Sequence, residues 1–468
     1  MVNPSNIVQV VVVGAGLSGL RAATEVHRAG LSYVVLEARD QVGGKTLSVP
    51  TNDQGTNPVD MGAAWINNST QMEMFALAQE FGFDLIEQRS EGNSIYQGPG
   101  GDVSTIPYGS LGLVTPEDLQ QADRLLAAIS ELVEQANNQF PHLGPNATTL
   151  DSQTVAQLAQ SIVPGELSKM LTRRLTRSLI GVEPEDMSAL YLVSYLKGTT
   201  GLQNALSEKA GGGQYLRNRQ GNQEFAVRLA EKLDPKHIKL STPVRKITQG
   251  GPHTLVETAD GTVYQTSKVI VAVPLKLYDL IEFRPRLPGA KQALSSTTLG
   301  HFSKTVLTFS EPWWLHANLS GVFSSDGPGL LSFARETSSS EDGQYSITCF
   351  HVGEQGRQWA SQKQSVRQNA VLKQFRSAYG TVVGNIPKPL RIIEQNWNED
   401  QWMRGAPSSV MPPGLLTHPA GMTIREPFRN VHFVGSDTSP DWKGYMEGAV
   451  RSGIRGAQEV IRALSSTP

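Results

Sequence analysis

The strongest constraint on the fold is a glycine-rich turn between two apolar segments near the start of the chain. Four consecutive valines at 10–13 predict a strand that is buried on both faces, and a helix is expected from about Leu17. Three glycines allow, in turn, tight turn geometry, approach of a pyrophosphate to the backbone, and close packing of the helix on the strand: Gly14, Gly16 and Gly19.

An acidic residue after the next strand completes this pattern. Residues 33–36 are apolar, and Glu37 follows about 20 residues after the glycines, the spacing expected of a carboxylate that accepts both hydroxyls of a ribose. Phosphates are expected at the free amides and positive dipole end of the first helix. An acid here favours an adenosine ribose without a 2′-phosphate. The order strand, turn, helix, strand and acid predicts a Rossmann-type site, which takes either NAD or FAD.

The composition limits the class of protein. The chain has 468 residues, of which 18% are charged, and a formal net charge of −2. This balance offers no basic surface for nucleic acid or an acidic membrane, so we expect small-molecule partners. No apolar stretch is long enough to cross a bilayer and no secretory signal is evident, so we expect no membrane anchor. The single cysteine, Cys349, excludes an internal disulfide and favours a reducing, cytoplasmic location.

The middle of the chain alternates between helical and strand-like segments. Thr115 and Asp118 form a predicted helix cap, and Gly211 to Gly213 end a mainly helical region. Asp260 and Gly261 predict a hairpin turn. Helical periodicity occurs at 119–136, 155–162, 167–179, 188–196 and 444–464. Strand-like patterns occur at 239–247, 254–257, 269–273, 297–309, near 347 and 392, and at 431–435.

Several further motifs resemble the flavin-containing monoamine oxidases, a branch of the FAD amine oxidases that also includes polyamine oxidases and L-amino acid oxidases. The resemblance covers nearly the whole chain and is nearest to fungal members. Its motifs are the two glycine groups at 14–19 and 43–44, Pro243-Val244, Leu299-Gly300-His301-Phe302-Ser303-Lys304, Asn396-Trp397, Pro412-Pro413-Gly414, and residues 435–449.

The resemblance implies an α/β fold, with a discontinuous Rossmann-like FAD-binding domain and an α+β substrate domain that has a mixed sheet and a helical subdomain. The FAD-binding domain is predicted at 1–88, 221–290 and 425–468; the substrate domain is predicted at 89–220 and 291–424, with the helical subdomain at 111–200. Because relatives are often dimers, the resemblance also favours a homodimer.

The resemblance assigns FAD contacts to both ends of the chain. Val244 is expected to hold the adenine through its backbone, and Met446 to open the last helix beneath the flavin. Ser436 and Asp437 stand where most relatives have Thr-Glu. The cofactor-binding set is Gly14, Ala15, Gly16, Ser18, Gly19, Glu37, Ala38, Arg39, Gly43, Gly44, Lys45, Ala64, Trp65, Val244, Trp397, Ala406, Gly435, Ser436, Asp437, Tyr445 and Met446.

Two residues are predicted to act on the reacting groups. Lys304 shares a strand face with Phe302 and Val306, and the resemblance implies that it holds a water near flavin N5 and assists reoxidation by oxygen. Tyr445 is expected to form one aromatic wall of the amine site. Pro407 takes the place of the second aromatic wall, which predicts a wider pocket. Gln214 and Trp397 complete the predicted substrate pocket.

Two departures from the family pattern affect the cofactor. Ala406 occupies the place of the cysteine that forms a thioether to the flavin in covalent members, so the FAD is predicted to be non-covalent. Lys45 replaces the usual arginine after the second glycine pair, which keeps a positive charge but loses the planar two-pronged donor.

The implied reaction is the oxidation of a primary amine to an imine, which hydrolyses to an aldehyde. Hydride passes from the amine α-carbon to flavin N5, and O2 is reduced to H2O2. The missing cysteine and the opened aromatic cage suggest a long-chain or sphingoid-like amine, as in fumonisin amine oxidase.

Three alternatives stay open. Polyamine oxidase is the serious one, because Trp65-Ile66 resembles its pattern; it requires acidic residues along the substrate tunnel, for which the candidates are Glu183, Glu185 and Asp186. An L-amino acid oxidase is weakened by Ala64, where an arginine for the substrate carboxylate is usual. A demethylase-like chromatin flavoprotein is weakened by the lack of inserted helical arms and basic tails.

Overall fold

The α/β fold class is confirmed by a computed structural model, which describes residues 3–113, 115–251 and 253–466. The predicted domain limits also include residues 1–2, 114, 252 and 467–468, which lie outside the described residues. Within the described ranges no helix has the length and apolar character needed to span a membrane.

An eight-stranded sheet contains the start of the chain. Ile7–Val13 lies in its interior and runs parallel to Tyr33–Leu36 on one side and to Val263–Val271 on the other. The valines at 10–13 are at most 3% exposed, so this part of the strand is buried on both faces as predicted. The order of the sheet is Glu282–Arg284, Val244–Gly250, His253–Thr258, Val263–Val271, Ile7–Val13, Tyr33–Leu36 and Ile238–Lys239, with Val431–Phe433 also paired to Val263–Val271.

The first and last helices pack closely against one face of this sheet. A Cβ atom added to Gly453 would lie 2.4 Å from the carbonyl oxygen of Ser18, so only glycine fits at this crossing. Gly19 plays the same part against the preceding strand turn, because its Cβ would lie 2.0 Å from the Gly14 carbonyl oxygen. The apolar residues of both helices share one buried cluster with Val10 and Val12.

A seven-stranded sheet forms the second layer. Leu319–Ser325 runs parallel to Asn93–Gln97, and the other neighbours are antiparallel, so the sheet is mixed as predicted. Its order is Arg391–Gln395, Phe302–Phe309, Tyr345–Val352, Phe333–Glu336, Leu319–Ser325, Asn93–Gln97 and Val103–Pro107. Three small two-stranded sheets pair Ser48–Pro50 with Pro58–Asp60, Leu85–Glu87 with Leu216–Asn218, and Thr298–Leu299 with Ser409–Val410.

Helices fill the predicted helical region and cover the sheets. Thr115 accepts a hydrogen bond from the amide of Asp118, which confirms the predicted cap, and Thr154 with Gln157 forms a capping box. The α-helices are Leu17–Arg28, Met72–Glu80, Pro116–Gln135, Ala147–Asp151, Val155–Ile162, Glu166–Ile180, Ala189–Gly198, Leu202–Leu206, Gln223–Glu231, Gly289–Gln292, Trp313–His316, Gly353–Ala360, Gln364–Val383, Pro419–Met422 and Met446–Ser465. Short 3-10 helices are Pro4–Asn6, Pro141–Leu143, Pro235–His237, Leu275–Leu280, Ala293–Ser296, Ser340–Asp342 and Ser436–Thr438.

Two strand predictions were wrong in their continuity. The segment 239–247 is two strands on different parts of the first sheet, because Ile238–Lys239 pairs with residues 35–36 while Val244–Gly250 pairs with His253–Thr258. The segment 297–309 is interrupted at Gly300, whose Cβ would lie 1.9 Å from the Ile180 carbonyl oxygen. There the backbone passes against a helix end, so it cannot continue one ladder.

The domain limits remain a proposal. Strands of the first sheet come from residues 7–36, 238–284 and 431–433, and strands of the second sheet come from residues 93–107 and 302–395. This alternation agrees with a chain that leaves the first domain and returns to it. The pairing of Leu85–Glu87 with Leu216–Asn218 joins segments that the predicted limits separate.

Candidate functional site

A cavity of about 330 Å³ lies between the two sheets. Val13, Leu36 and Val244 of the first sheet line it, as do Phe302 and Lys304 of the second sheet. The glycine turn at 14–16 and residues of the C-terminal motif at 435–446 line the same space, so both ends of the chain meet the second sheet there.

The glycine turn and Glu37 form one end of the cavity. The Glu37 carboxylate accepts hydrogen bonds from the amides of Ala15, at 2.6 Å, and Arg39, at 2.9 Å. These bonds fix the carboxylate where it borders the cavity. Burial raises the pKa of Glu37, although the two amide hydrogen bonds oppose that rise. A carboxylate held in this way can accept the hydroxyls of a ribose with its remaining lone pairs.

The glycines leave room for a dinucleotide backbone. A Cβ at Gly16 would come no closer than 3.8 Å to another residue, and a Cβ at Gly435 would meet nothing within 4 Å. The first turn of helix Leu17–Arg28 lines the same space, and its side chains cap none of the amides there. An open cradle with free amides and an acid beyond it fits the pyrophosphate and ribose of FAD.

Most of the predicted FAD residues line this cavity, and three do not. Ala15 directs its amide to Glu37, Gly19 packs against the strand turn, and Arg39 donates to the Gly44 carbonyl at 3.2 Å. These three support the cradle from behind. The residues that line it are Gly14, Gly16, Ser18, Glu37, Ala38, Gly43, Gly44, Lys45, Ala64, Trp65, Val244, Trp397, Ala406, Gly435, Ser436, Asp437, Tyr445 and Met446.

The charged groups of Lys45 and Asp437 form hydrogen bonds with the protein backbone. The Lys45 ammonium donates to the Pro407 carbonyl at 2.8 Å, and burial lowers the pKa of Lys45. The Asp437 carboxylate accepts from the Ser409 amide at 2.9 Å. Both side chains thus tie the cavity wall to residues 407–409. Neither contact could be derived from the sequence, because the partners lie far away along the chain.

Lys304 is buried in the cavity wall. The residue is 3% exposed. Its Nζ donates to the carbonyl of Asp60, at 2.8 Å, and to the carbonyl of Gly62, at 2.6 Å. Burial lowers the pKa of Lys304 to about 8, although the nearby Asp60 carboxylate opposes this shift. The predicted inward orientation is confirmed. An amine with this pKa can hold or release a proton near neutral pH.

Tyr445 lies at the N-terminus of the last helix, Met446–Ser465. Its hydroxyl accepts a hydrogen bond from the Gln214 amide at 3.4 Å, and its ring stands edge-on to Trp442, with centroids 4.9 Å apart. Gln214 and Tyr445, which were each predicted at the substrate pocket, are therefore in contact. Pro407 lines the same cavity, as does Trp397, whose indole donates to the Met61 carbonyl at 3.1 Å.

The second sheet supplies aromatic walls that the sequence did not predict. Phe350 lies opposite both Lys304 and Phe333 in the strand register, and the Phe333 and Phe350 rings stack with centroids 4.5 Å apart. Phe302 and Trp65 also stand beside Phe350. The pocket therefore has an aromatic lining despite Pro407. Alternation along each strand was the available signal, but only the register shows that these rings meet.

The residues expected of a polyamine tunnel do not line the cavity. Glu183 pairs with Arg177 at 2.9 Å, and Glu185 and Asp186 are exposed. Instead, the wall includes Glu208 and Arg335, which form an ion pair that sequence reasoning missed. Neither belongs to a motif, so the sequence carried no signal for this pair.

The cavity holds no thiol. Ala406 is 7% exposed and lines the wall. The single cysteine of the chain, Cys349, is buried within Tyr345–Val352 and does not line the cavity. This arrangement agrees with a cofactor that is held without a covalent bond.

Comparison with known proteins gives one family. Residues 17–461 match the model of the flavin containing amine oxidoreductases. The chain is 30% identical to amine oxidase [flavin-containing] B of Homo sapiens, over 99% of this chain and 88% of that protein. It is 29% identical to probable flavin-containing monoamine oxidase A of Dictyostelium discoideum, over 97% of this chain and 98% of that protein.

Solved structures agree in fold over nearly the whole chain. Putrescine oxidase bound to putrescine has a TM-score of 0.89 and 26% identity, covering 97% of this chain and 99% of that one. Cyclohexylamine oxidase from Brevibacterium oxydans IH-35A has a TM-score of 0.88 and 26% identity, covering 98% of this chain and 99% of that one.

Proposed function

This chain belongs to the family of flavin-containing amine oxidoreductases, and from that membership we propose that it oxidises a primary amine to an imine, which hydrolyses to an aldehyde and ammonia. The cofactor is non-covalent FAD. When bound, FAD supplies an acceptor for hydride from the amine α-carbon and passes the electrons to O2, which yields H2O2. The observation that carries the proposal is that Lys304 and Tyr445 share one cavity with the glycine cradle.

The cradle residues bind and position the cofactor in this proposal. Glu37 accepts the adenosine ribose hydroxyls, Val244 borders the adenine, and the first turn of helix Leu17–Arg28 receives the phosphates. The start of the last helix, at Met446, supplies free amides and a positive dipole end beneath the flavin. These roles rest on the lining of the cavity and on the family membership.

The residues at the other end orient the amine and move a proton. Tyr445 offers an aromatic face that attracts and orients the amine, and Gln214 fixes its hydroxyl. The Lys304 ammonium donates two hydrogen bonds, to the carbonyls of Asp60 and Gly62, and its third N–H holds a water. From there it can deliver a proton during reoxidation or assist hydrolysis of the imine.

The remaining finer proposals concern substrate and setting. A long-chain or sphingoid-like amine fits an aromatic-lined cavity with one cage wall replaced by Pro407. The fumonisin-type substrate, the similarity to fungal members, the cytoplasmic location and the homodimer stay predictions. The polyamine alternative is not favoured, because Glu183, Glu185 and Asp186 do not line the cavity.

A peroxide-coupled screen of the holoenzyme tests the proposed function. It compares primary alkylamines of increasing length, benzylamine, spermine and L-amino acids. We expect turnover of alkylamines or benzylamine with one H2O2 formed per aldehyde. Turnover of spermine alone, or of L-amino acids alone, would replace the proposal with one of its alternatives, and peroxide without aldehyde would contradict it.

Acid precipitation tests how the cofactor is held. We expect the yellow chromophore to appear in the supernatant and to match FAD by chromatography. A precipitate that keeps the chromophore would contradict non-covalent binding.

A further inference from the structure

The wall of the cavity contains the ion pair of Glu208 and Arg335, in which only the arginine keeps hydrogen-bonding groups without a partner among the described residues. Glu208 is 8% exposed, and both of its carboxylate oxygens are engaged: Oε1 by Nε of Arg335 and Oε2 by the hydroxyl of Tyr108. Arg335 spends a further donor, Nη1, on the carbonyl of Ala334 at 2.9 Å. The carboxylate is therefore satisfied by the protein itself.

The guanidinium of Arg335 keeps donors for a ligand. Nη2 has no hydrogen-bond partner among the residues that the structure describes, and the side chain keeps 26% of its exposure. Arginine carries five N–H donors and stays charged, so unused donors at a cavity wall favour an anionic acceptor. A ring contact also steadies the group, since Cζ lies 5.3 Å from the centroid of Phe333.

The strand Phe333–Glu336 directs Arg335 into the cavity. Side chains alternate along a strand, so Phe333 and Arg335 share one face, and both line the cavity, while Ala334 and Glu336 are buried on the other face. The orientation follows from the sheet and does not depend on a loop.

The register sets the separation between Arg335 and Lys304. Lys304 lies opposite Phe350, and Phe350 lies opposite Phe333, two strands away, while Arg335 follows two residues further along. With strands about 4.8 Å apart and a rise of about 3.3 Å per residue, the Cα atoms of Lys304 and Arg335 are about 12 Å apart. Between them stand the stacked rings of Phe333 and Phe350.

We infer that Arg335 binds a carboxylate at the far end of the substrate, so that the enzyme prefers an amine whose alkyl chain ends in an acid. The inference rests on the proposed amine oxidation. The amine lies near Lys304 and Tyr445, the methylenes lie along the phenyl rings, and the carboxylate meets the free donors of Arg335. Glu208 is a positioning residue, because it holds the guanidinium of Arg335 in place and does not itself bind the substrate.

The test compares substrates of matched length in the holoenzyme. Peroxide formation is measured with aminohexanoate, aminooctanoate and aminododecanoate, each with its amine at the end of the chain, against hexylamine, octylamine and dodecylamine, and against a diamine of eight carbons. We expect kcat/KM for the best of these terminal-amine acids to exceed kcat/KM for the alkylamine of the same length. We expect kcat/KM for the diamine to be low. A preference for the diamine would overturn the inference and assign a distal ammonium to Glu208.

Variants distinguish the effect of the Arg335 guanidinium on substrate choice from a general loss of structure. Arg335→Gln should lower the ratio of kcat/KM for amino acid over alkylamine by about 10- to 100-fold, the range for a hydrogen bond between charged groups. Arg335→Lys should give a smaller loss, because it keeps the charge without the planar fork. Glu208→Gln should raise the ratio, since it removes the nearby negative charge. Arg357→Gln is the matched control, because Arg357 pairs with Glu354 at 3.3 Å and does not line the cavity.

A binding measurement makes the result independent of turnover. Octanoate, which has no amine, should bind the holoenzyme in calorimetry and compete with octylamine, and Arg335→Gln should lose that binding. An unchanged substrate ratio in Arg335→Gln, with octanoate still bound, would overturn the inference while amine oxidation stands. If no amine is oxidised but octanoate binds through Arg335, the proposed function fails and the anion site remains.

Discussion

The two ends of the cavity are built in different ways. The core of the dinucleotide end comes from one short stretch of chain, which contains the strand Ile7–Val13, the glycine turn, helix Leu17–Arg28 and Glu37. Val244 and Gly435 join it from later in the chain. The proposed amine end comes from scattered residues, among them Lys304, Tyr445 and Arg335, which meet only because two sheets and a returning C-terminal helix bring them together. Local sequence specifies the first end, and tertiary structure specifies the second.

The largest expected effect is at the local end. Gly19→Ala places a Cβ 2.0 Å from the Gly14 carbonyl oxygen, and neither backbone can move without separating the helix from the strand. We expect a loss of unfolding free energy of about 3 kcal/mol or more, together with loss of bound FAD. Urea unfolding and the FAD absorbance of the purified protein measure both effects.

Gly250→Ala provides the matched control for that variant. A Cβ at Gly250 would meet nothing within 4 Å, so its stability should change by less than about 1 kcal/mol and its FAD content should stay. Equal damage in the two variants would show that the close approach at Gly19 is not what holds the dinucleotide end together.

Lys304→Met tests the assembled end, where the expected effect is on rate. Because a proton donor or acceptor typically contributes about 100-fold or more, we expect reoxidation of the reduced enzyme by O2 to slow by about that factor. Reduction by the amine should change much less. Stopped-flow absorbance follows the two half-reactions separately, and equal slowing of both would contradict the assigned role.

Lys291→Met is the control for removing a buried lysine. Lys291 is also buried, donates to the Glu426 carbonyl at 2.6 Å, and has a pKa that burial lowers to about 7, but it does not line the cavity. Its removal should leave both half-reactions unchanged. Slow reoxidation in this variant would attribute the effect to lost structure.

The pH dependence of reoxidation should reveal Lys304 itself. Burial lowers the pKa of its ammonium to about 8, so the proton is present below that pH and lost above it. We expect the reoxidation rate to fall as pH rises through about 8, and this fall to be absent in Lys304→Met. An inflection that persists in the variant would belong to another group.

The smallest expected effects are at Tyr445. Tyr445→Leu removes the aromatic face and should lower kcat/KM for an alkylamine by about 10-fold, a typical value for a cation–π contact. Tyr445→Phe keeps the ring and loses the hydrogen bonds of the hydroxyl, which are a long one of 3.4 Å from Gln214 and one with the Tyr195 hydroxyl. The loss of kcat/KM should therefore be smaller than in Tyr445→Leu. A larger loss in the phenylalanine variant would assign the role to the hydroxyl.

The sequence predicted the site unevenly for a physical reason. Helix caps, the buried strand and the glycine cradle were predictable, because their interactions join residues that are close along the chain. The ion pair of Arg335 with Glu208 and the contact of Lys45 with Pro407 were not, since they join residues 127 and 362 positions apart. The division of 239–247 into two strands belongs to the same class, because only the sheet shows which neighbours each part finds.

By itself, the sequence predicted a Rossmann-type dinucleotide site and showed that no cysteine occupies the attachment position. Its resemblance to the family predicted which lysine and tyrosine act at the reacting groups. The tertiary structure decided that Lys304 is held by two carbonyls, that phenyl rings line the cavity, and that Arg335 faces it. Periodicity gives the face of a strand but not its partner. Side chains that meet across a sheet are fixed by register, which is a property of the whole fold.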